Sequence, residues 1–266
     1  MDASGAPNAE RQRTWPAHAT ALGFLISWEL ASRFELINPV LVSSPSRISV
    51  AGWDMLSTSG IYPDLGFTLG VFALSVILGV GGGTVAGLAL GTHKTLYQAL
   101  NPFVVATNAL PKIVLMPLIM LWLGVGFAAN VFLGALMASF PILVSTFTGV
   151  RSLEQEYMVL ARSFRASKWT IARSVVLPGV LPYVLSGLRV GVNYALVGAL
   201  IGEFFGADRG IGYRMNLYMA NFQVDQFFVC LVLVALFAVA CTSLVHRLEQ
   251  RVERWRPSAL GRSGGM

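Results

Sequence analysis

Long apolar runs alternate with short polar connections along most of this chain. Residues 65–91, 128–150 and 227–245 contain no charged side chain, and residues 180–201 are apolar apart from a few polar positions. A helix needs about 20 predominantly apolar residues to cross the hydrocarbon core of a bilayer, and each run reaches or approaches that length. The pattern therefore predicts four membrane-spanning helices.

Two other apolar segments are less regular. Residues 96–127 contain Pro102, Pro111 and Pro117, which predict a kinked or broken span whose freed carbonyl groups need partners in protein or water. Residues 17–34 are the first predicted span. The arginines before it are also typical of a signal peptide, but no clear cleavage site follows. Counting both segments gives six spans and an all-α membrane protein.

The spans and their connections divide the chain into four segments. Residues 1–16 form a polar N-terminal tail, and residues 17–64 hold the first span and an interfacial segment that contains Trp53. Residues 65–246 form a core of five spans with a long connection at 151–178, and residues 247–266 are a basic tail. Because 55% of the residues are apolar and 12% are charged, little of the chain remains for a soluble domain.

A stripe of small residues marks one face of the span at 65–91. Its glycines recur every fourth residue, at Gly79, Gly83, Gly87 and Gly91. Lipid offers no hydrophobic drive for helix association, so membrane helices associate where small residues allow their backbones to approach closely. The stripe therefore predicts close packing of another helix against this face.

The net charge of +6 could indicate a nucleic-acid ligand, but the basic residues lie in loops and tails between apolar runs. With residues 151–178 in the cytoplasm, thirteen Lys and Arg residues fall on the cytoplasmic side and four on the other side. This positive-inside bias predicts that both termini are cytoplasmic. Membrane orientation explains the charge, and we expect no nucleic-acid partner.

The longest cytoplasmic connection is basic on one side and apolar on the other. Its first part has the i, i+3, i+4, i+7 spacing of an amphipathic helix, formed by Tyr157, Leu160, Ala161 and Phe164. Ser167 can cap a second helix, with the break between the two helices at Ala166 and Ser167. The basic side chains are Arg162, Arg165, Lys168 and Arg173. Composition alone favours a simpler interpretation, the basic cytoplasmic loop of any membrane protein.

The order of residues in this connection adds a resemblance to a known family. Residues 161–169 read ARSFRASKW, followed by Leu-Pro after seven residues and Gly-Leu-Arg at 187–189. This order resembles the coupling loop of binding-protein-dependent ABC importer permeases, and is most similar to the branch for sulfonates, taurine and nitrate. Residues 110–118, LPKIVLMPL, and the Gly-Ile-Gly-Tyr turn at 210–213 resemble the same branch.

The chain departs from the family pattern at the start of the coupling loop. The family has Glu-Ala-Ala where this chain has Val159, Leu160 and Ala161, and it has Gly where this chain has Arg165. The resemblance extends over nearly the whole chain, from about residue 22 to residue 256.

The resemblance implies a type I ABC importer permease fold with a cytoplasmic coupling helix, in the bacterial inner membrane. It implies that ATPase coupling uses Tyr157, Leu160, Ala161, Arg162, Phe164, Arg165, Ala166, Ser167, Lys168 and Trp169. The implied partners are two ATP-binding ABC subunits, a second permease copy and a periplasmic or lipid-anchored solute-binding protein. No cofactor is expected in this chain, because ATP and magnesium would be bound by the partner ATPase.

Polar residues in or beside the spans are candidates for the solute pathway: Asn108, Lys112, Arg189, Asn193 and Glu203. A charge at the middle of a bilayer costs about 2.5 to 3.5 kcal/mol on insertion scales, so such residues usually face a cavity or a partner. If Lys112 and Arg189 line the pathway, the solute is a small anion. Alternatively, they pair with Glu203 or with carbonyl groups freed by the prolines.

Enzymatic functions have little support in the sequence. The zinc-protease HExxH, the phosphate-binding GxxxxGK[ST] and the GxSxG nucleophile motif are all missing, so no catalytic residue is assigned. Cys230 and Cys241 lie in one apolar run without metal-ligand spacing, and no metal site is expected.

The alternative function is a six-span channel or a membrane-embedded enzyme without an ATPase partner. A channel would leave the helices of residues 156–182 without a partner, and the spans offer no catalytic pair.

Overall fold

The computed structural model describes residues 15–58, 60–153, 163 and 167–253, and every regular element in these ranges is helical. The α-helices are α1 (Trp15–Arg33), α2 (Pro45–Ser57), α3 (Tyr62–Thr92), α4 (Lys94–Ala109), α5 (Met116–Leu123), α6 (Phe127–Ser152), α7 (Lys168–Ile171), α8 (Leu177–Gly206), α9 (Ile211–Ala220) and α10 (Val224–Glu253). A 3₁₀ turn, Lys112–Leu115, precedes α5, and a π-helical turn, Ala172–Val176, joins α7 to α8.

Four stretches of the described chain are long and apolar enough to cross a membrane: Tyr62–Thr92, Phe127–Ser152, Trp169–Gly206 and Val224–Val252. They contain the four uninterrupted runs predicted from the sequence. A fifth candidate is the pair Lys94–Ala109 and Lys112–Leu123, which is bent by 93°. This pair confirms the predicted break in the proline-containing segment.

The first predicted span forms a helix, but this helix does not reach the apolarity of the other spans. α1 has 19 residues and includes Thr20, Ser27 and Glu29. It is not among the stretches of the described chain that are apolar enough to cross a membrane. The structure therefore supports four or five spans, and the predicted count of six is not confirmed.

The described residues divide into two compact units. The smaller unit contains α1, α2, the end of α9 and the beginning of α10. In it, Trp28 Nε1 donates to the carbonyl oxygen of Ser43 at 2.9 Å, and Ser43 Oγ donates to Asp225 Oδ1 at 2.6 Å. Arg47 Nη2 lies 2.9 Å from the other oxygen of Asp225. These bonds hold the loop before α2 to the first turn of α10.

The larger unit is built around α6, which packs against α3 and α8. The glycine stripe on α3 faces α6: a Cβ on Gly79 would lie 2.7 Å from Ala138 Cβ, and one on Gly87 would lie 2.6 Å from Thr146 Cβ. Real Cβ atoms essentially never approach so closely, so the helix pair needs glycine at these positions. The predicted packing role of the stripe is confirmed.

A second glycine stripe, which the sequence analysis did not identify, lies on α8 and faces α6. A Cβ on Gly198 would lie 2.7 Å from the Cα of Gly134, and one on Gly187 would lie 2.9 Å from the Cα of Ile142. The signal was available in the sequence, because Gly187, Gly191, Gly198 and Gly202 form two pairs with the same four-residue spacing. α6 therefore has close backbone neighbours in both α3 and α8.

The connection between α7 and α8 differs from the sequence-based expectation. The prolines at 178 and 182 predict that the second helix of the basic connection ends there, but the helix continues without a break from Trp169 to Gly206. In the π-helical turn, Leu177 N–H donates to Ala172 O, five residues earlier. We attribute the continuity to this wider turn, because in a regular helix the ring of Pro178 would clash with the carbonyl group four residues earlier.

Candidate functional site

A cavity of about 690 Å³ lies in the larger unit, where the end of α4, the 3₁₀ turn, α6 and α8 come together. Its walls are mostly apolar. The polar exceptions include Asn108, Lys112, Ser145 and Tyr194, and the remaining lining residues are Leu110, Pro111, Ile113, Met137, Phe140, Pro141, Val144, Val190 and Ile201. A largely apolar cavity with a few polar groups is typical of a small-molecule site.

The break between α4 and the 3₁₀ turn places Lys112 on this cavity. α4 ends at Ala109, and Pro111 has no N–H with which to continue the helix. The carbonyl group of Asn108 accepts a hydrogen bond from Lys112 Nζ at 3.3 Å. The same Nζ lies 4.3 Å from the centroid of the Phe140 ring, a cation–π distance. The ammonium group is thus held at the cavity wall by a carbonyl oxygen and a ring face.

Two other predicted pathway residues, Arg189 and Asn193, point toward α10. Arg189 Nη1 lies 3.4 Å from Glu249 Oε2, and Asn193 Oδ1 accepts a hydrogen bond from Thr242 Oγ1 at 3.1 Å. Their neighbours Val190 and Tyr194 line the cavity. Successive residues of a helix differ by about 100° around its axis, so adjacent positions face different neighbours.

Glu203, the fifth predicted pathway residue, lies in a buried network and not among the residues that line the cavity. It is fully buried near the end of α8. Its Oε2 accepts hydrogen bonds from Thr68 Oγ1 at 2.8 Å and from Gly212 N–H at 2.9 Å. Thr68 Oγ1 in turn accepts from Ile211 N–H at 2.9 Å. The carboxyl group therefore joins α8, α3 and the first turn of α9.

A carboxylate of α3 completes this network. Asp64 Oδ1 accepts a hydrogen bond from Gly210 N–H at 2.8 Å, and Asp64 Oδ2 lies 2.6 Å from Arg214 Nε. The Gly-Ile-Gly-Tyr turn at 210–213, singled out in the sequence, is thus held by two acidic side chains from different helices. Sequence reasoning identified the turn and Glu203 but did not connect them.

Most of the predicted coupling region lies outside the described residues: Tyr157, Leu160, Ala161, Arg162, Phe164, Arg165 and Ala166. At its described end, Thr170 N–H donates to Ser167 Oγ at 3.1 Å, which confirms the predicted cap of the second helix. Lys168 is the first residue of α7, and Trp169 on the same helix is 72% exposed. The capped helix thus presents a large aromatic side chain on its surface.

An aromatic cluster that the sequence analysis did not predict lies where α6 ends. The rings of Tyr97 on α4 and Phe147 on α6 are stacked, with centroids 4.8 Å apart and planes inclined by 12°. Arg151 Cζ lies 5.0 Å from the Tyr97 centroid and 5.6 Å from the Phe147 centroid. We call these three residues the aromatic bracket. Phe147 and Arg151 have an i, i+4 spacing, but nothing in the sequence placed Tyr97 beside them.

Comparison with known proteins shows which family this chain resembles. The sequence profile of the family described as "Binding-protein-dependent transport system inner membrane component" matches residues 79–254. The formylaminopyrimidine transport permease protein ThiX of Halalkalibacterium halodurans is 29% identical over 92% of this chain and 98% of its own length. The riboflavin transport system permease protein RibX of Chloroflexus aurantiacus is 30% identical over 92% of both chains.

Two further comparisons concern the sulfonate, taurine and nitrate branch of the family and the fold of the chain. The taurine transport system permease protein TauC of Escherichia coli is 25% identical over 92% of this chain and 90% of its own length. Among solved structures, an inward-facing conformation of the MetNI methionine ABC transporter has a TM-score of 0.65 at 18% identity. That similarity covers 72% of this chain and 95% of the other chain, and at this identity it establishes the fold alone.

Proposed function

This chain belongs to the family of binding-protein-dependent transport system inner membrane components, and on that premise we propose that it forms the solute pathway of an ATP-driven importer. The permeases of this family are non-catalytic membrane subunits. In the proposed complex, two copies of this chain stand on two ATP-binding subunits that bind ATP and magnesium. A periplasmic or lipid-anchored binding protein delivers the solute, and six spans keep both termini in the cytoplasm.

The observation that carries the proposal is the cavity beside the bent pair α4 and α5. Residues of three membrane helices line it, and Lys112 supplies its positive charge. An ammonium group within a span is costly unless it has a partner or a wet cavity, and here it contacts only a carbonyl oxygen and a ring face in the described chain. It therefore retains capacity to bind an anion. We propose a small anionic solute, such as a sulfonate, taurine or nitrate.

A second class of solute is favoured by the relatives and by the cavity walls. ThiX and RibX are described as permeases for a formylaminopyrimidine and for riboflavin, which are flat heteroaromatic molecules. Tyr194 lines the cavity with about half of its side chain exposed, so its ring is available to stack on such a solute. Uptake assays with small anions and with flat heteroaromatic molecules, each in the presence of the cognate binding protein, distinguish the two classes of solute.

Coupling to the ATPase is assigned to the amphipathic helix predicted at residues 157–164 and to the capped helix that follows Ser167. The predicted apolar stripe of Tyr157, Leu160, Ala161 and Phe164 would fill a groove of the ATP-binding subunit. Burial of two large apolar side chains contributes on the order of 3 to 6 kcal/mol, enough to hold an interface helix. Arg162, Arg165 and Lys168 would meet acidic groups at the rim of that groove.

The test is to purify the chain with its proposed ATP-binding subunit and to compare Leu160→Asp with the wild type. Leu160→Asp places a charge in the apolar stripe, so we expect the permease to remain in the membrane but no longer to bind the ATP-binding subunit. Leu248→Asp, at an exposed leucine of α10, is the matched control and should retain the complex. Solute uptake that needs no ATP would favour the channel, and a Leu160→Asp variant that couples normally would contradict the proposed coupling helix.

A further inference from the structure

The aromatic bracket connects two parts of the chain that the proposed function treats separately. Arg151 lies in the last turn of α6, immediately before the stretch that leads to the proposed coupling helix. Tyr97 lies in the first turn of α4, which begins at Lys94. The parallel stack of Tyr97 and Phe147, covered by the guanidinium group of Arg151, joins these two helix ends.

The other end of α4 reaches the cavity. Asn108 is eleven residues after Tyr97 on the same helix, a distance of about 16 Å at 1.5 Å per residue. Its carbonyl group holds the ammonium group of Lys112, and Asn108 itself lines the cavity. α4 is one continuous helix from Lys94 to Ala109 although it contains Pro102, so a displacement at Tyr97 would pass along it to the cavity wall at Asn108.

The aromatic bracket joins the ends of α4 and α6 by non-covalent contacts, which hold the two ends together and can also break. Arg151 presents a planar guanidinium group, which stacks on aromatic faces better than a lysine ammonium group does. Its position in the last turn of α6 also places a positive charge at the negative end of the helix dipole. Because Phe147 and Arg151 are one turn apart on α6, they contact Tyr97 together.

We propose that Tyr97, Phe147 and Arg151 are positioning residues that transmit the movement of the coupling region to α4 and thus to the cavity at Lys112. This inference rests on the proposed function. It adds a route within this chain from the ATPase contact to the solute pathway. The alternative is that Arg151 acts only as a cytoplasmic charge that sets membrane orientation, in which case the two rings are ordinary packing residues.

The experiment measures the number of solute molecules imported per ATP hydrolysed by the full complex in proteoliposomes. We expect Tyr97→Leu and Phe147→Leu to lower this ratio about three- to tenfold, the range that corresponds to the loss of an aromatic pair. Tyr97→Phe retains the stacked ring and should retain the ratio. Phe103→Leu is the matched control, because it removes an exposed ring from the same helix and should have no effect.

A cross-link provides a second test that does not depend on deleting the rings. In a chain with Cys230 and Cys241 replaced by Ala, the pair Tyr97→Cys and Phe147→Cys is joined by a short thiol cross-linker. If the two helix ends move together, the cross-linked complex retains its transport ratio. Reduction of a cleavable linker should then lower the ratio to that of Tyr97→Leu.

The outcomes separate this inference from the proposed function. A wild-type complex that hydrolyses ATP without importing solute would overturn both. Wild-type coupling together with an unchanged ratio in Tyr97→Leu would overturn the bracket alone. A cross-link that abolishes transport would also overturn it, because the two helix ends would then have to separate. An equal loss in Phe103→Leu would show that any change on α4 has the same effect, against a specific role for the bracket.

Discussion

Gly210 lies directly against the carboxyl group of Glu203. A Cβ on Gly210 would lie 2.5 Å from Glu203 Cδ, a distance that real Cβ atoms essentially never show. Gly210 also has φ +104°, a conformation that residues with a side chain rarely adopt. The glycine is therefore required twice, for its backbone conformation and for the close approach of the carboxyl group.

The first prediction follows from this contact. Gly210→Ala should destabilise the purified permease by about 1 to 3 kcal/mol or more, because it combines backbone strain with overpacking. Gly66→Ala on α3 is the control, since nothing lies within 4 Å of a Cβ at that position. Thermal unfolding in detergent measures both variants. Equal midpoints for Gly210→Ala and Gly66→Ala would contradict the contact.

The second prediction concerns the hydrogen bonds that Glu203 accepts. Glu203→Leu leaves the Thr68 hydroxyl and the Gly212 N–H buried without an acceptor, and each unsatisfied group costs about 1 to 3 kcal/mol. Glu203→Gln keeps an oxygen for these donors, but its amide nitrogen takes the position of Oε1, which has no partner in the described chain, so the amide N–H groups are buried without an acceptor. Unfolding measurements should therefore rank Glu203→Gln between the wild type and Glu203→Leu.

The sequence predicted those parts of the structure that depend on one segment at a time. Apolar run length predicted α3, α6, α8 and α10, and the three prolines predicted the bend between α4 and α5. The cap at Ser167 depends on residues three positions apart, so it too could be read locally. The Gly stripe on α3 showed that a partner helix must exist, but it could not show that the partner is α6.

The parts that the sequence left open depend on contacts between distant residues. Thr68 and Glu203 are 135 positions apart, and Asp64 and Gly210 are 146 apart, so no local pattern joins them. Lys112 and Arg189 were treated alike because both are basic residues within apolar runs. Arg189 on α8 is turned toward Glu249, whereas Lys112 lies in the 3₁₀ turn before α5 and lines the cavity.

The third prediction tests the packing of α3 on α6. Gly87→Ala should destabilise the permease by about 1 to 3 kcal/mol, because a Cβ there would lie 2.6 Å from Thr146 Cβ. Gly82→Ala is a matched control on the same helix, since a Cβ at Gly82 meets nothing within 4 Å. Replacing glycine by alanine in a helix interior is otherwise favourable. A lower melting temperature for Gly87→Ala alone is the expected result, and a similar loss in both variants would contradict it.

The fourth prediction concerns topology, where the first span is the least supported. Reporter fusions at residues 40, 93, 127, 165, 210 and 256 should alternate outside and inside, beginning outside at residue 40. This order follows from the positive-inside distribution of Lys and Arg and from six spans. A cytoplasmic signal at residue 40, on the same side as the predicted N-terminus, would remove the first span and contradict this six-span order.

The last prediction separates the two basic residues that the sequence placed within spans. Lys112→Gln removes the positive charge of the cavity and should lower uptake of an anionic solute roughly ten- to hundredfold, since a hydrogen bond to a charged group contributes about 1.5 to 3 kcal/mol. Arg189→Gln is the control, because Arg189 pairs with Glu249 rather than lining the cavity. Lys112→Arg keeps the charge and should retain most of the uptake.

The complex must still assemble with its ATPase in all three variants. Equal losses in Lys112→Gln and Arg189→Gln would show that charge within the spans matters irrespective of the cavity, and unchanged uptake in Lys112→Gln would exclude Lys112 from the solute pathway.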